Sequence, residues 1–163
     1  MTQYPATDYV EGKPKGIFPS QALLDMVTNG TVSASQPISP DLIQPASIDL
    51  RMGEFAWRVQ ASFLPGPNAS VEEKVRAFEM HRIDLTDGAV LEKGCVYIVP
   101  LLEHLSLPDD LSAFANPKSS TGRLDIFTRV ISNQCTRFDL IRPGYSGPLY
   151  AEVSPKTFSI KLR

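Results

Sequence analysis

The pattern of apolar and polar positions changes period several times along the chain, and each change predicts an element. Residues 1–16 are polar and interrupted by Pro5, Gly12, Pro14 and Gly16, which predicts a flexible leader. Ala22, Leu23, Met26 and Val27 then recur at helical spacing behind Ser20, a residue type that caps helices, and Asn29-Gly30 ends the pattern. Pro37 and Pro40 exclude regular structure until Ile43. From Ala46 the period becomes two: Ala46, Ile48, Leu50 and Met52 alternate with Ser47, Asp49 and Arg51. Gly53 interrupts, and Phe55, Trp57 and Val59 resume the alternation, so a hairpin is predicted. After the loop Phe63-Leu64-Pro65-Gly66-Pro67, Ser70 and Glu73 form a capping box that opens a second short helix to about Glu79. The remainder reads as short strands at 89–91, 95–102, 113–115, 126–132, 148–153 and 158–162, separated by proline or glycine turns. The predicted fold class is therefore mostly β, a jelly roll with two short helices.

Composition supports this picture and narrows it. The 14 prolines and 10 glycines among 163 residues are too dense for a helical bundle, because proline lacks the N–H and clashes with the preceding turn. The length suits one domain with a real core. With 16 Lys and Arg against 18 Asp and Glu, the net charge is −2, without the basic surplus that nucleic acid or an anionic membrane demands. No apolar run approaches the roughly 18 residues needed to cross a bilayer. The opening Met1-Thr2-Gln3-Tyr4-Pro5 lacks the features of a secretory signal. A cytoplasmic protein with Cys95 and Cys135 reduced is expected.

Several chemistries lack their residues. His81 and His104 are each followed by the wrong partners for a histidine–x–glutamate, and no two cysteines are spaced as zinc ligands, so zinc-activated water is not expected. Neither a dinucleotide-binding nor a phosphate-binding glycine loop occurs, and neither histidine adjoins a nucleophile elbow.

Three segments carry concentrated polar chemistry. Asn116-Pro117-Lys118-Ser119-Ser120-Thr121-Gly122-Arg123 gathers two cations, three hydroxyls and a glycine, a composition that fits an anion cradle as well as a solvated turn. Pro143-Gly144-Tyr145-Ser146-Gly147-Pro148 makes a corner leading into a strand where Leu149, Ala151 and Val153 share one face and Tyr150 and Glu152 the other. A carboxylate in that setting is either paired or exposed. Gln44-Pro45-Ala46-Ser47-Ile48-Asp49-Leu50-Arg51-Met52-Gly53 places Asp49 and Arg51 on one strand face, where they pair with each other or with neighbouring strands.

In order and spacing these three segments resemble the dCTP deaminase branch of the dCTP deaminase/dUTPase family, over roughly residues 17–163. The detail of 116–127 is most similar to the first half of a longer, two-lobed bacterial version. The resemblance implies a distorted jelly roll of the dUTPase-like β-clip kind, usually a homotrimer with sites shared between subunits. It implies zinc-independent hydrolysis of dCTP to dUTP and ammonia, with Mg2+ carried by the triphosphate. By position, Glu152 would shuttle protons, Ser119 would help hold the attacking water, and Arg123 would face the carboxylate and the nucleotide. Lys118 and Ser120, with Ser119 and Arg123, would hold phosphates, and the backbone of Val130, Ile131 and Ser132 would contact the base. Such a carboxylate can take a proton from water and return it to the ring and the leaving amine in turn. Some positions differ from the family's pattern. Lys118 stands where an arginine is usual, Arg142 stands where many members have aspartate, and 132–142 is longer than expected. The chain also stops at Lys161-Leu162-Arg163, before the closing strand and tail that the family leads one to expect. A dUTPase-like diphosphohydrolase and a non-catalytic, nucleotide-binding or oligomerising half of a two-lobed enzyme are the alternative readings.

Overall fold

The computed structural model describes residues 16–162, so the predicted leader falls outside the described residues except for Gly16. In chain order the elements are α1 (Ser20–Thr28), β1 (Val32–Ala34), β2 (Phe55–Val59), α2 (Val71–Phe78), β3 (Glu79–Asp84), β4 (Ala89–Leu91) and β5 (Val96–Ser106). They continue with β6 (Ala113–Phe114), α3 (Ser119–Arg123), β7 (Ile126–Ser132), β8 (Leu140–Ile141), β9 (Ser146–Pro155) and β10 (Ile160–Leu162). The main sheet runs β3-β2-β5-β9-β7, with β1 also paired to β5, and two small sheets join β10 to β4 and β6 to β8. All these pairings are antiparallel. The mostly-β class expected from the alternating pattern is the observed one.

Side-chain alternation along β5 and β9 divides the interior in two. Tyr97, Val99 and Leu101 from β5 join Leu149, Ala151 and Val153 from β9 in one core, while Ile98 and Tyr150 point the other way into a second. The second core is closed by α2 through Val71 and Val75 and by Phe63 of the preceding loop. Strand β9 is thus buried on both faces. Cys95 packs on the first core and Cys135 lies in the second, and both are free thiols. Burial pushes the Cys135 thiol above its ordinary range.

Local chemistry explains where the elements begin and end. The Ser70 hydroxyl accepts from the Glu73 N–H while the Glu73 carboxylate accepts from the Ser70 N–H, the capping box read from the sequence. Ser20 is the first residue of α1 rather than its cap, since Pro19 holds the cap position. The stretch 46–52 is not a strand. The Ser47 carbonyl accepts from the Gln44 N–H at 2.8 Å, and the Arg51 N–H goes to the Glu103 carboxylate at 2.8 Å, so no ladder forms. Only isolated bridges remain, Ile43 with Ile48 and Met52 with Leu101, and β2 pairs with β3 and β5 instead of with this stretch. Gly53 follows because a Cβ there would lie 2.8 Å from the Pro100 carbonyl oxygen. A third helix, α3, stands where a turn was expected, and β3 was unmarked because nearly all of it is exposed.

Tyr145 ties the corner before β9 to the end of β7. Its buried hydroxyl donates to the Pro148 carbonyl at 2.6 Å and accepts from the Asn133 N–H at 3.2 Å, while its backbone carbonyl accepts from Leu107. Gly147, at φ 152°, passes close above that hydroxyl, where a Cβ would lie 2.9 Å from the oxygen. Burial raises the phenol's pKa, which keeps its donor proton. Tyr145→Phe removes both hydroxyl bonds and leaves two half-buried backbone groups, the Asn133 N–H and the Pro148 carbonyl, without that partner. We expect it to lower stability by about 1–3 kcal/mol, read from the urea midpoint at unchanged slope.

Candidate active site

Glu152 lies midway along β9, in register with Ile98 of β5 and Arg129 of β7. It is 1% exposed. A buried carboxylate needs a counter-charge, and the register supplies one: Arg129 Nη2 donates to Glu152 Oε1 at 2.7 Å. The same Nη2 donates to Ser62 Oγ at 2.9 Å. The guanidinium carbon lies 3.5 Å from the Phe138 ring centre and 4.6 Å from that of Phe127, so aromatic faces set its plane. Glu152 Oε2 and Arg129 Nε are buried with no hydrogen-bond partner among the described residues. Ser62 belongs to the loop before α2, which is moored to the end of β7 by Gly66 N–H to the Cys135 carbonyl, Gln134 N–H to the Ala69 carbonyl and Val71 N–H to Asn133 Oδ1.

The hydroxyl-rich segment is exposed and built differently. Lys118 Nζ contacts Asp49 Oδ2 at 2.6 Å, and Gln44 Nε2 donates to the same oxygen at 3.1 Å, which joins two of the three segments singled out in the sequence. Asp49 and Arg51 do not pair with each other, since Arg51 Nε bonds Glu103 Oε1 at 2.8 Å. Ser119, Ser120 and Arg123 lie on α3 and are exposed, and among the described residues Arg123 makes no ion pair. The short helix ends at Arg123, and Asp125, at a φ of 53°, turns the chain into β7. Asp125 also receives the Lys156 N–H at 3.0 Å and a hydroxyl bond from Thr157, which fixes α3 against the exit of β9.

Within the chain, then, Lys118 to Arg123 form one group and Glu152 another. Glu152 meets Arg129, and no hydrogen bond or ion pair among the described residues joins it to Ser119 or Arg123. Of the backbone groups expected at the base, Val130 donates its N–H to Asp139 Oδ1 at 2.7 Å and accepts the Asp139 N–H at 2.9 Å. Ile131 is buried in the second core and Ser132 is buried at the strand's end, on a cavity of about 80 Å³ shared with Cys135 and Arg142. A larger cleft of about 530 Å³ opens between Trp57, Glu72, Arg76, His104 and Tyr150, and none of the sequence-predicted site residues lines it. There burial, then the Glu72 carboxylate, push the Tyr150 phenol well above its ordinary range, and its hydroxyl donates to Glu72 Oε1 at 3.3 Å. Among the described residues no three His, Cys, Asp or Glu side chains converge as metal ligands. No helix among them is long and apolar enough to cross a membrane.

Arg129, Ser62 and Phe138 are the residues that sequence reasoning missed. Arg129 carried the same mark as Glu152, a lone charge between Phe127 and Ile131 on one strand face. Ser62 and Phe138 carried none, because loops bring them in.

These features define an antiparallel β domain whose charged and hydroxyl side chains collect at strand corners and on the central pair. Residues 14–163 match the family model described as the 2'-deoxycytidine 5'-triphosphate deaminase N-terminal domain, and the chain belongs to that family. It is similar to a crystal structure of 2'-deoxycytidine 5'-triphosphate deaminase from Agrobacterium tumefaciens at 53% identity and a TM-score of 0.87, over 91% of this chain and 44% of that one. Among curated relatives, a dCTP deaminase of Haloarcula marismortui is 32% identical over 71% of this chain and 57% of its own length. A dUMP-forming dCTP deaminase of Streptomyces coelicolor is 31% identical over 83% of this chain and 68% of its own. The chain spans a little over half the length of the Haloarcula relative and less than half of the Agrobacterium chain.

The Lys118–Asp49 contact is solvent-exposed on the lysine side, 64% by area, so it adds little to stability. Lys118→Ala should cost under about 1 kcal/mol in thermal or urea unfolding, so that any larger loss of nucleotide binding reports on the ligand and not on the fold.

Proposed function

We propose that this chain catalyses the hydrolytic deamination of magnesium-bound dCTP to dUTP and ammonia, without zinc, with Glu152 as the proton shuttle. The observation that carries the reading is Glu152 itself: a buried carboxylate in a chain of this family, held by one oxygen and unpartnered at the other. In this reaction Glu152 takes a proton from water as the oxygen bonds to C4 of cytosine, and passes it to N3. It then moves the proton of the new hydroxyl to the amine, the C4–N bond breaks, and ammonia leaves with the carboxylate restored. Ser119 helps hold the water, and Lys118, Ser119, Ser120 and Arg123 hold the triphosphate, a role suited to their exposure on α3 and at its start. Magnesium enters with the triphosphate as part of the substrate.

The assembly in this reading is a homotrimer in which the α3 residues of one subunit serve the carboxylate of another; in keeping with it, no hydrogen bond or ion pair among the described residues of one chain joins α3 to Glu152. A second reading follows from the Streptomyces relative's description as dUMP-forming. Release of dUMP also requires water at the α-phosphate, and Arg142 stands where an aspartate would orient it; its Nη2 donates instead to Gln134 Oε1 at 2.7 Å.

Incubation with dCTP and magnesium should release ammonia and dUTP without pyrophosphate. Pyrophosphate with dUMP would replace the first reading by the second, and pyrophosphate without ammonia would sink both. Glu152→Gln should lower kcat by at least about 100-fold with dCTP binding retained. If subunits share sites, Glu152→Gln and Arg123→Ala preparations, each inactive alone, should regain activity when unfolded and refolded together; no regain would mean that each subunit works alone.

A further inference from the structure

Arg129 has no part in the reaction as set out above, yet it is the group that touches the proposed proton shuttle. We propose that Arg129 is the positioning residue for Glu152, clamping Oε1 so that Oε2 is the oxygen that takes and returns the proton. The inference rests on the deaminase reading of the site and adds to it the group that orients the carboxylate.

Three observations carry it. A carboxylate offers two oxygens, and here they differ: Oε1 accepts from Arg129 Nη2 at 2.7 Å, while Oε2 is buried with no partner among the described residues. An oxygen already committed to a short charge-assisted bond is the poorer acceptor for a further proton, which leaves Oε2. The clamp is itself held, because the guanidinium lies 3.5 Å from the centre of the Phe138 ring and 4.6 Å from that of Phe127, and Nη2 also donates to Ser62 Oγ at 2.9 Å. The ring faces and the Ser62 hydroxyl together hold the positive charge against Oε1. Finally, Arg129 Nε is also buried and unpartnered, so the pair leaves one acceptor and one donor unfilled.

Loss of the clamp frees the carboxylate to turn and leaves a buried charge uncompensated. Substrate contacts elsewhere are untouched, so the effect belongs in the chemical step. The test compares Arg129→Gln, Arg129→Lys and Ser62→Ala with the unmodified protein for ammonia release from magnesium dCTP, each checked for folding by thermal melt. Arg129→Gln should lower kcat about 100-fold with KM changed less than about twofold, and Arg129→Lys, which keeps the charge, should recover to within about tenfold. The proposal is overturned by an Arg129→Gln kcat within about threefold of the unmodified protein, by a KM that rises as much as kcat falls, or by an Arg129→Lys no better than the glutamine variant. If Arg129→Gln does not fold, the exposed Ser62 decides: Ser62→Ala should fold and lose about three- to tenfold in kcat at constant KM, and an unchanged kcat overturns the clamp. Absence of ammonia from the unmodified protein would instead remove the deaminase reading, and this role with it.

Discussion

Strand β9 runs through the middle of the molecule with a core on each face, and it carries a carboxylate at its centre. That combination is costly unless a cation stands directly opposite, and Arg129 meets the requirement from β7. The pairing fixes register, because a slip of one residue between β7 and β9 would turn Arg129 to the other face and leave Glu152 buried without its partner. Much of the neighbouring structure serves that register. Phe127 and Phe138 flank the guanidinium, Ser62 reaches it from a loop moored on the end of β7, and Tyr145 binds the same end to the start of β9.

Legibility in the sequence followed the source of each element's stability. Strands β7 and β9 have strong periodic patterns with turn residues at their ends, and both were predicted within a few residues. The capping box at Ser70 and Glu73 is a local contact and was equally readable. The stretch 46–52 misled because its alternation is real but its backbone groups are taken elsewhere, one of them by the distant carboxylate of Glu103. Strand β3 carries almost no buried face, so no periodicity marks it; only the pairing of 79–84 with β2 makes it a strand.

The candidate site was legible in the same uneven way. Glu152 and the hydroxyl-rich segment were visible as residue types in a context, and both occupy defined corners or strand centres. Which groups meet was not visible. Within one chain the carboxylate meets Arg129, through a cross-strand register that only β pairing creates. Position along a strand tells which face a charge takes, but not what stands opposite.

The turn at Asp139 has a consequence outside the site. Strand β7 forms one edge of the main sheet, and such edges expose ready-made hydrogen-bonding groups to any extended chain nearby. Near the middle of that edge, Asp139, bent back at a φ of 63°, uses its carboxylate and its own N–H to occupy the N–H and C=O of Val130. An incoming strand finds its central anchoring pair already filled, so the sheet stops at β7. That single residue thus closes the pair of groups through which an edge strand would be extended, independently of any chemistry at Glu152.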